Sequence, residues 1–161
     1  MTIDQAFFVL ALVACLGCGL IAGAFFAFST FVMKALSRLP ANEGIAAMQS
    51  INVVVLNPLF LGAFIGTAAA CAVAVGTAVV YWHVPGAVWL LVGGVLYLIG
   101  TFAVTRAFNI PRNDTLAALQ PTDPAAAAYW NQYLSEWTVW NHVRTVAALA
   151  AAASFGIALG R

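Results

Sequence analysis

Trp137-Thr138-Val139-Trp140-Asn141-His142-Val143-Arg144-Thr145 opens the last hydrophobic run of the chain. From Val146 to Leu159 every residue is apolar or small. A helix that crosses a bilayer needs about 20 residues, so the crossing has to begin near Trp140, and Asn141, His142 and Arg144 stand at or inside the membrane boundary. An amide, an imidazole and a guanidinium are costly there unless they face the bundle interior, a partner or trapped water, and in that setting they are functional candidates.

The composition agrees with a membrane setting. Of 161 residues, 64% are hydrophobic and only 7% are Asp, Glu, Lys or Arg; soluble domains carry about 25% charged residues. The mean hydropathy is +0.99. Six Lys and Arg against five Asp and Glu leave no basic face, which sets nucleic acid aside as a partner. The N-terminal run from Phe7 to Met33 carries no charge, exceeds a signal-peptide core in length and lacks a basic leader, so it reads as a retained transmembrane helix.

Working back from the last run, hydropathy predicts spans at about 7–33, 59–81, 87–108 and 140–159. The first would be about 40 Å long as a helix, enough to cross with tilt. Along it Cys15, Gly19, Gly23 and Ala27 recur every four residues, a smooth stripe suited to helix packing, within the chain or in a homo-oligomer. Between Pro40 and Asn57 lies a less hydrophobic segment that reads as an interfacial helix capped by Asn42 and carrying Met48, Gln49 and Asn52. Asn57-Pro58 marks a break before the second span. His83-Val84-Pro85-Gly86 is short enough to join antiparallel neighbours only, so spans two and three form a hairpin. On span three, Tyr97, Thr101, Thr105 and Asn109 repeat at i, i+4, with Arg106 one residue's rotation away; this polar stripe either hydrogen-bonds across helices or lines a cavity. The connector 110–136 holds Asn113-Asp114 as a candidate cap and Thr122-Asp123-Pro124 as a helix start. Nothing breaks the helix from Pro124 to Leu159, so it would be roughly 54 Å long and extend beyond the bilayer. The expected fold is all-α, a single domain over 1–161, an integral membrane four-helix bundle in up-down-up-down order. Lys34, Arg38, Arg106, Arg112 and Arg144 fall on one side and Arg161 on the other, which predicts both termini outside the cytoplasm, in a bacterial inner membrane.

In such a bundle the end of span one, the start of span two, the end of span three and the start of span four share a level. Ser29, Thr30, Asn57, Arg106, Asn109, Asn141, His142 and Arg144 are therefore expected to converge on a polar layer. On the last helix Trp137, Asn141, Arg144 and Thr145 share a face, with His142 about 100° away. Cys15-Leu16-Gly17-Cys18 has CxxC spacing and Cys71 a similar depth, but apolar flanks favour packing over a metal or redox role. His83 and His142 lie at opposite ends, so a haem or zinc site would have to be shared between protomers. No phosphate loop, Ser-His-Asp series or close carboxylate pair is present.

Phe25-Phe26-Ala27-Phe28-Ser29, Asn57-Pro58, Phe108-Asn109-Ile110-Pro111-Arg112-Asn113 and above all Trp137 through Arg144 resemble the anthrone oxygenase family of small four-helix membrane proteins. The resemblance implies oxidation of an anthrone-type aromatic by dioxygen with no flavin, metal or other cofactor. On that expectation His142 is the base, with Arg144 and Asn141 beside it as catalytic groups. Asn109, Asn57, Arg106, Trp137, Trp140 and Tyr97 then bind the substrate or its developing oxyanion. The pocket would sit toward the cytoplasmic end, reached by an apolar aromatic from the lipid bilayer. The rival expectations are a non-catalytic module that binds a quinone, lipid or haem, and an accessory subunit assembled through the small-residue stripe.

Overall fold

The computed structural model describes residues 3–161, with side chains from Gln5 onward. Five helices follow one another. Helix α1 runs Ile3–Ala27 and continues through a π-wound stretch, Phe28–Val32, into Met33–Leu36; α2 is Ala41–Val54 and α3 is Pro58–Val80. Helix α4 starts at Ala87–Val95, is π-wound over Leu96–Ala103 and Thr105–Asn109, and ends in Ile110–Ala117; α5 is Pro124–Leu159. Among the described residues there is no strand. The four long helices α1, α3, α4 and α5 are each long and apolar enough to cross a membrane, which makes the chain an integral membrane protein.

The bundle core consists of the faces that α1, α3, α4 and the second half of α5 turn toward one another, and small residues bring the backbones close. Ala11, Ala14, Cys18 and Ala22 of α1 meet Ala68, Cys71 and Ala74 of α3 and Ala148 and Ala151 of α5, all buried. Helices α1 and α3 run in opposite directions. Phe7 near the start of α1 touches Tyr81 after the end of α3, and Phe25 near its end touches Phe64 near the start of α3. Tyr97 of α4 packs on Phe64, while Thr101 reaches the carbonyl of Arg144 on α5. Gly86 has φ of 87°, the left-handed region, and closes the turn between α3 and α4 against the backbone of Ala158.

The small-residue stripe faces the other way. Gly19 and Gly23 are exposed, and a Cβ on either would meet nothing within 4 Å. The α1 packing face is set by Ala11, Ala14, Cys18, Ile21, Ala22 and Phe25, about one residue's rotation from the expected line.

A second core caps the bundle. Met33 and Leu36 of α1, Ile45 and Met48 of α2, Leu116 of α4, and Trp130, Tyr133 and Trp137 of α5 form one buried cluster. The outer half of α5 is therefore a packed wall. Gly44 allows it: an added Cβ would lie 3.0 Å from both the Leu36 carbonyl oxygen and the Trp130 ring. Gln49 ties α2 to the end of α4, its Nε2 donating to the carbonyls of Leu116 and Leu119 at 2.9 Å each. Arg112 ties α4 to α5, its Nε and Nη2 donating to Glu136 Oε2 at 2.9 and 2.6 Å.

Two expected caps are absent. Asn42 lies inside the first turn of α2, where Pro40 takes the cap position and no side chain caps it. Asn113 and Asp114 lie within the helical run Ile110–Ala117, so the third long helix goes on past Phe108 rather than ending there. Pro111 has no N–H to give and its ring crowds the preceding turn, and the π-wound segment just before it widens that turn.

Candidate functional site

Arg144 is at the centre. Its residue is only 4% exposed, and among the described residues no carboxylate lies within ion-pairing distance of it; the ion pair found there is Arg112–Glu136. The guanidinium instead lies 4.1 Å from the Phe25 ring centroid and 5.1 Å from that of Trp137. Taking a cation out of water costs several kcal/mol even after relaxation, and a desolvated cation–π contact returns about 2 kcal/mol. Two rings reduce the cost without matching the charge, so the site favours an anion.

A closed ring of hydrogen bonds fixes that guanidinium. Nη2 donates to Asn141 Oδ1 at 2.7 Å and Nη1 to Thr105 Oγ1 at 3.2 Å. Asn141 Nδ2 donates to the Phe25 carbonyl at 2.8 Å and to Ser29 Oγ at 2.7 Å. Thr145 Oγ1 donates to the Asn141 carbonyl at 2.8 Å, so its 3.0 Å contact with Ser29 is donated by Ser29. Arg144 Nε, covered by the rings, has no partner. Ser29 sits in the π-wound stretch of α1 and Thr105 in that of α4, so both widened turns deliver a hydroxyl to this network.

Arg144 and Thr105 border a cavity of about 460 Å³ at the junction of the two cores. Its walls are mostly apolar: Phe25 and Phe28 of α1, Phe60 and Phe64 of α3, and Trp137 of α5, with Ile51 and Leu56 closing the α2 side. Gln49 and Asn52 of α2 and Asn113 and Asp114 of α4 add polar groups. Asn113 Oδ1 accepts from Tyr133 Oη and from Trp137 Nε1, each at 2.8 Å, which locks the indole as a wall. The volume suits a small organic ligand. A smaller cavity of about 230 Å³ lies at the opposite end, near Phe7 and Leu90.

The expected layer forms in part. Ser29, Asn141, Arg144 and Thr145 form one hydrogen-bonded cluster, Asn109 is buried against the Trp137 carbonyl one turn along α5, and Trp137 and Arg144 reach the cavity. His142 does not: it is exposed on the outer face of α5, between exposed Val139 and Val146, so it cannot act as a base in the cavity. The 100° offset that would have kept it at the pocket edge turns it away from the bundle. Asn57 is also exposed and caps α3 instead, with Oδ1 accepting from the Phe60 amide at 3.0 Å and Nδ2 donating to the Val54 carbonyl at 3.0 Å. Arg106 is exposed, because the interior is taken by Thr105 and Asn109 on either side of it. Trp140 is half-buried and stacks on Phe108 with ring centroids 3.5 Å apart, outside the cavity.

The stripe on α4 mainly joins helices. Tyr97 Oη donates to the Phe64 carbonyl at 3.1 Å, Thr101 Oγ1 to that of Arg144 at 3.4 Å, and Asn109 Nδ2 to that of Trp137 at 3.2 Å. Tyr97 and Asn109 thus back the wall without lining it; Thr105 alone of the stripe borders the cavity. The residues that sequence reading missed are Asn52, Gln49, Asn113 and Asp114. In the sequence Asn52 and Gln49 suit an interfacial face and Asn113 and Asp114 a cap, since no periodicity in one segment shows which helix folds over it.

With respect to metals, no group of three or more His, Cys, Asp or Glu side chains converges among the described residues. Cys18 and Cys71 are free, buried thiols with Sγ atoms 3.8 Å apart, at the common depth expected of them. Cys15 Sγ lies 3.4 Å from the Ala152 carbonyl.

Comparison with known families gives a match to the anthrone oxygenase model over residues 59–154. The chain belongs to the anthrone oxygenase family. No curated protein and no solved structure matches it. The matched segment runs from the start of α3 into α5 and includes Thr105, Asn113, Trp137, Asn141 and Arg144, so the cation and one cavity wall lie within the family region. Membership makes the chain an oxygenase-like membrane protein of that family. The walls from α1 and α2 lie outside the matched residues.

Proposed function

We propose that the protein oxidises a flat, lipid-soluble phenolic or anthrone-type aromatic with dioxygen, in the cavity bordered by Arg144. The observation that carries this reading is a buried guanidinium, held by Asn141 and Thr105 and lacking a carboxylate, on the wall of an otherwise aromatic cavity. An anthrone is apolar, planar and acidic at the methylene carbon opposite its carbonyl. Loss of that proton puts negative charge on the carbonyl oxygen. Arg144 stabilises this oxyanion most in a dry site with preset donors, and the proton leaves to water at the cavity mouth. The electron-rich carbon then reduces dioxygen: a C–O bond forms to give a hydroperoxide, and loss of water leaves the second carbonyl. One anthrone and one dioxygen give one anthraquinone and one water, so the substrate supplies all four electrons and no resident cofactor is required.

Phe25, Phe28, Phe64 and Trp137 supply ring faces for stacking. Exposed apolar Val53, Leu56 and Leu59 beside the cavity suit delivery of the substrate from the bilayer, and the distribution of Lys and Arg supports a cavity toward the cytoplasmic face. The test is purified protein in nanodiscs, given anthrone under controlled oxygen. Oxygen-dependent anthraquinone formation, lost in Arg144→Met, is expected. Binding of anthraquinone without any turnover of anthrone would replace this reading with that of a non-catalytic quinone-binding module.

A further inference from the structure

We infer that Asn52 and Asp114 form a second polar station in the cavity, which reads a hydroxyl at the end of the ligand remote from Arg144. The inference rests on the proposed ligand class. Thr105 and Asn113 both line the cavity from α4, eight residues apart, so at 1.5 Å per residue its wall runs about 12 Å along that helix. Arg144 meets Thr105 at one end, and Asn113, Asp114 and Asn52 line the other. Gln49 of α2 holds the carbonyl of Leu116 on α4. One turn on from Gln49 comes Asn52 and one turn back from Leu116 comes Asn113, which places Asn52 beside Asn113 and Asp114.

Asn113 and Gln49 are each engaged through one of their two amide atoms. Asn113 Oδ1 takes two donors, and Gln49 Nε2 gives to two carbonyls. Asn52 Nδ2 is buried, and no acceptor meets it at hydrogen-bonding geometry. The station therefore offers a buried donor without a partner, Asn52 Nδ2, and, at the exposed rim of the cavity, the Asp114 carboxylate as an acceptor. A phenolic hydroxyl answers both, accepting from Asn52 and donating to Asp114, whereas a carbonyl answers only the first. The favoured ligand thus carries an anionic oxygen at one end and a neutral hydroxyl at the other.

Unreactive anthraquinone and an analogue with one hydroxyl on a terminal ring are compared as ligands, by quenching of the protein's intrinsic fluorescence in nanodiscs. Wild type is expected to bind the hydroxylated ligand at least tenfold more tightly. Asn52→Leu and Asp114→Ala each lower affinity for the hydroxylated ligand by more than for the parent quinone, and so remove that preference. Equal affinity of wild type for the two ligands, or an equal loss for both in the variants, overturns the station. Because the probe is not turned over, the expected pattern with no oxidation of anthrone would sink the oxygenase reading and leave the station standing. Failure to bind either ligand removes both.

Discussion

At the scale of the single residue, Arg144 is a charge that the fold tolerates for what it does. Replacing a buried, uncompensated cation by an apolar side chain of similar volume is often neutral or stabilising, because the desolvation cost vanishes. Against this, Arg144→Met leaves Asn141 Oδ1 without its donor, which costs about 1–3 kcal/mol. The two effects oppose each other, so the variant's melting temperature should stay close to wild type. Turnover of anthrone should instead fall by about 10²–10³, the loss typical of one oxyanion donor. Melting curves and steady-state rates on the same preparation check both halves. His142 makes the contrasting case. It is exposed on the outside of α5, so His142→Ala should keep kcat within about twofold, the variation expected of a surface change worth under 0.5 kcal/mol. A large loss would return the imidazole to the chemistry.

At the scale of the element, hydropathy alone made the four long helices legible, because a run of about 20 apolar residues has few alternatives in a bilayer. Part of the convergence was legible as well: Asn141 bonds both Ser29 and Arg144, while Asn109 bonds the Trp137 carbonyl one turn away. Azimuth was not. His142, Asn57 and Arg106 are exposed: Asn57 is taken up as a cap, Arg106 lies in a π-wound turn, and His142 sits one residue's rotation off the buried face of a regular helix, none of which segment-wise periodicity encodes. Helix α2 was the least legible part, since its modest hydrophobicity suits a membrane surface as well as a cavity wall. Its placement depends on Gly44, which lies too near the Leu36 carbonyl and Trp130 to accept a larger side chain. The backbone oxygen cannot swing aside as a side chain could. Gly44→Val should therefore cost about 1–3 kcal/mol of stability, as overpacking does. It should also weaken anthraquinone binding, because Gln49, Ile51 and Asn52 would shift with the helix. Thermal unfolding and fluorescence quenching check the two effects; a stable variant with unchanged affinity would mean that α2 does not shape the cavity.

At the scale of the whole molecule, two cores share one long helix and the cavity lies where they meet. The bundle core brings backbones close through Ala and Cys, whereas the cap core consists mostly of larger side chains from the end of α1, α2, the end of α4 and the outer half of α5. The connection between Leu36 and Ala41 is short, and α2 is held to α4 by Gln49 through two carbonyls. Few bonds thus retain the cap compared with the continuous helix packing below it, and local opening should begin there. Backbone amides of α2 are expected to exchange with deuterium faster than those of α3 between Phe64 and Ala78. A ligand in the cavity touches Phe25 and Phe64 of the bundle as well as Met48 and Asn52 of α2, so it couples the two cores. If only the closed cap binds, ligand at 100 times its Kd stabilises that state by about 2.7 kcal/mol, a slowing of roughly 100-fold for every amide whose opening releases the ligand: those of α2 and, because Phe64 lines the cavity, those at the start of α3. Unchanged α2 exchange under saturating ligand would show that the cap does not have to open to release it and that ligands reach Arg144 through a static gap beside Leu56.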